Sequence, residues 1–181
     1  MAIASAKDVL EFWIKAGTEK WWKKDPDLDA EIAQRFKATH EAACNNELDH
    51  WANQPDSALA LILVLDQFSR NLFRDSPKAY AQDDKCAELA RQQIGSGANL
   101  LMPQDIANFC YLPLMHCEDL ESQKLCLQEM TRLKNERGIQ SAIEHMEIIE
   151  KFGRFPHRNT VLGRRTTAEE QAFLDGGGFA G

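Results

Sequence analysis

The chain has 181 residues, 21 Lys and Arg against 28 Asp and Glu, and a net charge of −7. With 44% hydrophobic and 27% charged residues, that length fits one globular domain with a sizeable core, taken here to span 1–181. The acidic balance argues against duplex nucleic acid or an anionic membrane as partner, because both call for a basic face.

Helical periodicity runs through the whole chain, and no alternating pattern of strand type competes with it. Ser5 can cap a first helix that carries Val9, Leu10, Phe12 and Trp13 and stops near Gly17. "DPDLDAEIAQRFKATHEAA" opens with acids and Pro26, as helix starts do, and sets Ile32, Phe36 and Ala43 on one side. After a turn around Leu48 and Trp51, "PDSALALILVLDQFSRNLF" is apolar all round in its first half, the mark of a central buried helix. Ser76-Pro77 is expected to open the next helix, which ends at "GSGAN", and Pro103 to open a helix running through "YLPLMH" with a kink at Pro113. Asp119 can cap "LESQKLCLQEMTRL", and Gly153 suits the C′ position closing a helix over 140–152. Thr167 and Glu170 form a capping box for a last short helix, followed by "DGGGF" with Phe179 as a terminal anchor. Short connections imply antiparallel neighbours, so the expectation is an all-α stack of about eight to nine helices in hairpins. The longest apolar run, 58–65, is far short of the roughly 18 residues that a membrane helix needs.

Polar residues in apolar settings mark the places where chemistry could reside. Asp66 and Arg70 share a face of the central helix, while Gln67, Asn71 and Arg74 fall on a neighbouring one. Such groups at the end of a buried helix need partners, either an ion pair or a pocket that they wall. Asp83 lies on the inward stripe of its helix and should meet Arg70 or Arg74. His116 and His145 also sit on inward stripes, with Glu118 and Asp119 near the first of them. These are weak catalytic candidates as proton donor or acceptor, set against the plainer role of hydrogen-bonded core histidines. Their spacing pre-forms no metal site, and no cofactor is expected. Phe12, Trp13, Trp21, Trp22 and Trp51 are expected to be mostly core, with the lysines of "KWWKK" solvating that surface. Cys44, Cys86, Cys110, Cys117 and Cys126 show no C-x-x-C spacing and suit reduced thiols of a cytoplasmic protein.

The segment "KFGRFPHRNTVLGRR" gathers Arg154, His157, Arg158, Asn159, Arg164 and Arg165, with no acid between Glu150 and Glu169. Guanidinium forks match carboxylate or phosphate, and a loop is where binding groups tend to lie. Equally, these arginines could neutralise the acids of an acidic protein.

"DQFSRNLFR", "YLPLMHCEDL" and "FGRFPHRNTVLGR", in this order and with "VLEFW" near the start, resemble the bacterial domain-of-unknown-function family 924. The resemblance spans nearly the whole chain and implies an all-α fold like that of tetratricopeptide-repeat proteins, with no activity established. Its motifs carry over onto Asp66, Gln67, Arg70, Asn71, Arg74, His116, Glu118, Asp119, His145, Arg154, His157, Arg158, Asn159, Gly163 and Arg164. The expectation is therefore a polar pocket for an anionic small ligand bearing phosphate or carboxylate, with catalysis left open. The ligand-binding set is Asp66, Gln67, Arg70, Asn71, Arg74, His116, His145, Arg154, His157, Arg158, Asn159 and Arg164. The alternative is a tetratricopeptide-like module that grips a peptide without catalysis. Nothing in the sequence speaks to oligomeric state.

Overall fold

A computed structural model describes residues 2–103 and 106–179. Among the described residues there are nine α-helices, several short 3₁₀ segments and no strand. The Cα positions cluster into two compact units, one of Met1–Arg74 and Lys78–Pro113, the other of Asp75–Pro77 and Leu114–Gly181.

In the first unit, α1 (Ala6–Ala16) begins at a reciprocal cap: the Ser5 hydroxyl accepts from the Asp8 N–H while Asp8 accepts from the Ser5 N–H. A cap of this kind contributes about 1 kcal/mol. The one-turn α2 (Thr18–Trp21) follows Gly17. Asp25 caps α3 (Pro26–Cys44) by accepting from the N–H groups of Asp27 and Leu28. A 3₁₀ turn, Asp49–Asn53, leads to α4 (Pro55–Leu72), in which the unbroken stretch from Ala58 to Leu65 is at most 1% exposed. This helix packs against α1, α3 and α5 (Asp83–Ser96) and supplies the centre of the unit. Phe12, Trp13, Phe36, Phe68 and Phe109 meet around it in edge-on and tilted pairs, geometries that aromatic rings favour. Trp21 is half-buried, and Trp22 departs from the expected core placement: it stacks on Phe109 at 5.5 Å yet remains 48% exposed.

Two of the expected helices are corrected. Pro77 opens only a 3₁₀ turn, Pro77–Ala79, and α5 starts at Asp83. The Arg70 guanidinium donates to the carbonyl of Ala79, so this turn is held by a side chain from α4. The helix expected from Pro103 also does not form: a 3₁₀ turn, Ala107–Cys110, is followed by the single turn α6 (Leu112–Met115). Pro113 sits at the second position of α6, where its missing N–H costs nothing, so the chain breaks before the proline and there is no kinked rod. Gln104 and Asp105, part of that expectation, lie outside the described residues.

In the second unit, Asp119 caps α7 (Leu120–Arg132) as expected. α8 (Glu136–Phe152) starts earlier than expected, capped by Asn135, and packs along α7. Gly153 ends it at φ 67°, a left-handed conformation that glycine adopts without strain. A 3₁₀ turn, Pro156–Arg158, and an irregular stretch connect to α9 (Ala168–Asp175), which carries the expected Thr167–Glu170 capping box. One hydrophobic cluster of this unit is Ile148, Ile149 and Phe155, with Phe152, Phe173 and Phe179 packed on it. The five cysteines are thiols, four of them buried. No helix among the described residues is long and apolar enough to cross a membrane.

Candidate functional site

Burial forces each misplaced polar residue to find a partner, and in the first unit they find one another. Arg70 reaches from α4 to Asp66 at 3.0 Å and to Asp83 at 3.0 Å, so the ion pair expected from Asp83 forms with Arg70. Asp66 is wholly buried and also accepts from the Gln67 amide at 2.5 Å. Burial opposes the charge on Arg70, but Asp66 and Asp83 outweigh it and raise its pKa further. Arg74 and Asn71 turn the other way, to Asp29 at the start of α3: Arg74 forks onto both carboxylate oxygens at 2.5 and 2.9 Å, and Asn71 donates at 2.7 Å. His40 and Ser69 form a further buried pair between α3 and α4, at 2.7 Å, with the Ser69 hydroxyl donating to the Leu65 carbonyl. Arg70 thus ties α4 to α5, Asn71 and Arg74 tie it to α3, and Asp66 and Gln67 pair within α4 beside Arg70.

The second unit assembles the remaining candidates. Glu118 and Glu170 each take one arginine of the basic segment. Arg164 forks onto Glu118 at 2.5 and 2.9 Å, and the same carboxylate accepts the Phe155 N–H at 2.8 Å. Burial alone would push the pKa of Glu118 up, yet these hydrogen bonds bring it below its ordinary value. Arg154 forks onto Glu170 at 2.6 and 2.9 Å and also donates to the carbonyl of Arg165. Asn159, fully buried, bridges the two pairs: its amide donates to Glu170 at 3.2 Å and its oxygen accepts from Arg164 at 2.9 Å. The hydrogen bonds from Arg154 chiefly, with the Thr167 N–H, hold Glu170 down to about 2. The basic segment is therefore folded on two acids, one contributed by the α6–α7 connection and one by α9.

What these two pairs leave is a group of imidazoles beside Arg158. Arg158 is 6% exposed, its guanidinium carbon 4.6 Å from the centre of the Phe155 ring. His145 Nδ1 lies 2.8 Å from the Ser141 carbonyl, an acceptor only, so Nδ1 carries the proton and Nε2 keeps its lone pair in the neutral ring. Burial first, then the charge of His116 and that of Arg158, push the pKa of His145 down to about 4. Burial, Arg158 and His145 bring His157 down to about 4 as well. His116 follows the end of α6 rather than continuing a helix face from Phe109, and it is half-buried. The Phe179 ring stands 4.5 Å from that of His145 and 5.2 Å from that of His157, so the expected terminal anchor is seated on both. Neither nitrogen of His157, nor Nε2 of His145, makes a hydrogen bond among the described residues. Two neutral rings with spare donor and acceptor positions can exchange a proton with a bound group. Among the described residues no group of three or more His, Cys, Asp or Glu is placed to hold a metal ion.

Three residues central to this picture were not singled out from the sequence as site or pocket residues. Asp29 stands out only as one acid in a helix's first turn, Glu170 only as a capping-box member. Gln123 is fully buried and donates to the carbonyls of Met115 and Cys117 at 2.7 and 2.8 Å, holding the chain after α6; it carries no sequence signal at all.

Comparison with known proteins agrees with the motif resemblance. The profile of a bacterial protein family of unknown function (DUF924) matches residues 9–178. The chain belongs to that family. A solved structure of a protein of unknown function from Agrobacterium tumefaciens is 41% identical, covers 94% of this chain and 97% of its own, and superposes with a TM-score of 0.91. No curated protein matches. The family thus comes with a fold and with no assigned activity.

Proposed function

We propose that the carboxy-terminal unit binds a small anionic ligand, bearing phosphate, sulfate or carboxylate, beside Arg158 and the imidazoles of His145, His157 and His116. The observation that carries this reading is the unspent hydrogen-bonding capacity of two rings held neutral next to a guanidinium. A neighbouring positive charge disfavours the imidazolium, and an anion placed there removes that penalty. Binding would then draw protons onto His145 and His157, and affinity would rise as pH falls. The other arginines of the expected ligand-binding set contribute less, since Arg154 and Arg164 face Glu170 and Glu118, and Arg70 and Arg74 face acids of their own unit. Catalysis stays unassigned; should it occur, His145 Nε2 is the natural proton acceptor.

Sulfate, which does not titrate in this range, is the probe to use. It should raise the melting temperature of the protein, more at pH 5.5 than at pH 7.5, and the increase should vanish in Arg158→Met, which keeps an apolar stem over Phe155. His157→Phe should reduce it. An unchanged melting temperature across sulfate, phosphate and a panel of carboxylates would remove the proposal. A protein partner recovered from lysate, with no anion response, would favour the tetratricopeptide-like interaction module instead.

A further inference from the structure

On the same unit a groove of about 440 Å³ opens between α8 and the segment around α9, walled by Phe152, Phe173 and Phe179 and edged by Glu144, Glu147 and Lys151. The wall is built by the sequence. Phe152 and Phe173 pack with ring centres 5.1 Å apart and planes tilted by 57°. The chain then folds back so tightly over Phe173 that a Cβ at Gly178 would lie 2.6 Å from that ring, so only glycine delivers Phe179 to the groove. Aromatic faces carry negative potential and attract cations. This wall already seats one: the Lys151 ammonium lies 4.9 Å from the centre of the Phe152 ring.

The charge around the groove has the same preference. Lys151 is 3.8 Å from Glu169, which offsets its charge. Glu147 has no hydrogen bond or ion pair among the described residues, and Glu144 takes only the Gln140 amide at 3.1 Å. Two exposed carboxylates therefore edge a groove walled by three apolar rings, neither of them in an ion pair among the described residues. An anion would be repelled there, and an uncharged apolar molecule would gain nothing from the acids. We propose that this groove binds a small alkylammonium cation, its methyl or methylene shell against Phe152, Phe173 and Phe179 and its charge facing Glu144 and Glu147. The proposal is independent of the anion reading and would stand if Arg158 bound nothing.

The experiment compares choline with 3,3-dimethylbutan-1-ol, its uncharged carbon counterpart, titrated into the full chain while the aromatic resonances of Phe152, Phe173 and Phe179 are followed by NMR. Choline should shift those resonances saturably, and the alcohol should bind about two- to five-fold more weakly, the difference a cation–π and carboxylate contribution makes at an exposed site. Because Glu144 and Glu147 are exposed, the double variant Glu144→Gln, Glu147→Gln should fold normally and weaken choline by about the same factor. Equal affinity for the two probes would overturn the proposal. So would an undiminished affinity in the double variant, or ring resonances unmoved at about 0.1 M choline, well past the weakest binding the chemistry allows.

Discussion

Both units draw arginines partly out of water, but they do so in different ways. In the first, Arg70 lies between Asp66 and Asp83, and Arg74 with Asn71 grips Asp29, so each charge from the end of α4 meets its opposite. In the second, Arg154 and Arg164 are matched by Glu170 and Glu118, while Arg158 shares its surroundings with imidazoles kept neutral by burial and by its own charge. A closed ion network is what an architecture needs to orient its helices. The rings of His145 and His157 seat Phe179 yet keep nitrogens without hydrogen bonds among the described residues, and on that difference the proposed ligand is assigned to the second unit.

Breaking each network should measure this contrast. The largest effect is expected at Asp66, wholly buried: Asp66→Ala leaves Arg70 underpaired and should cost about 3 kcal/mol or more in urea unfolding. Glu118→Ala removes the acceptor for Arg164 and for the Phe155 N–H, but both side chains of that pair are about a quarter exposed, so about 2 kcal/mol is expected by the same measurement.

Next comes the pH dependence. His145 and His157 protonate near their ordinary value in the unfolded chain but only near 4 when folded, so the unfolded state binds more protons between those limits. Stability should be full above about pH 6.5 and decline as pH falls from there towards 4, and His157→Phe should flatten that limb in thermal unfolding curves. Glu170 acts in a lower window: depressed to about 2, its stabilisation is lost as pH falls from its ordinary value towards 2, and Glu170→Gln should shrink that second limb, to which Glu118 also contributes, and leave the first in place. The smallest effect belongs to the exposed pair of Lys7 and Glu11, where Lys7→Ala should change stability by less than about 0.5 kcal/mol.

Helix ends with local chemistry could be read directly from the residues. The caps at Ser5, Asp119 and Thr167 and the stop at Gly153 depend on atoms within three or four positions, and all four hold. Pro77 and Pro103 could not be read in this way. A proline suits the first turn of either helix type, and at Pro77 the outcome is decided by a hydrogen bond from Arg70 to Ala79 that exists only once α4 is in place. The same limit applies to the site. Inward stripes located His145 and Asp83, and composition located the basic segment. Which arginine would be spent on which acid depends on pairs 16 and 46 positions apart, Arg154 with Glu170 and Arg164 with Glu118, and nothing local encodes them.

The most direct test is to titrate the imidazoles themselves. With selectively labelled histidine, the midpoints of His145 and His157 should lie well below that of an ordinary histidine without sulfate and move upward when sulfate is added. The midpoint of His40, lowered by burial in the other unit and paired with Ser69, should stay where it is. Midpoints for His145 and His157 that are unmoved by saturating sulfate, or that move in step with His40, would contradict an anion site beside Arg158.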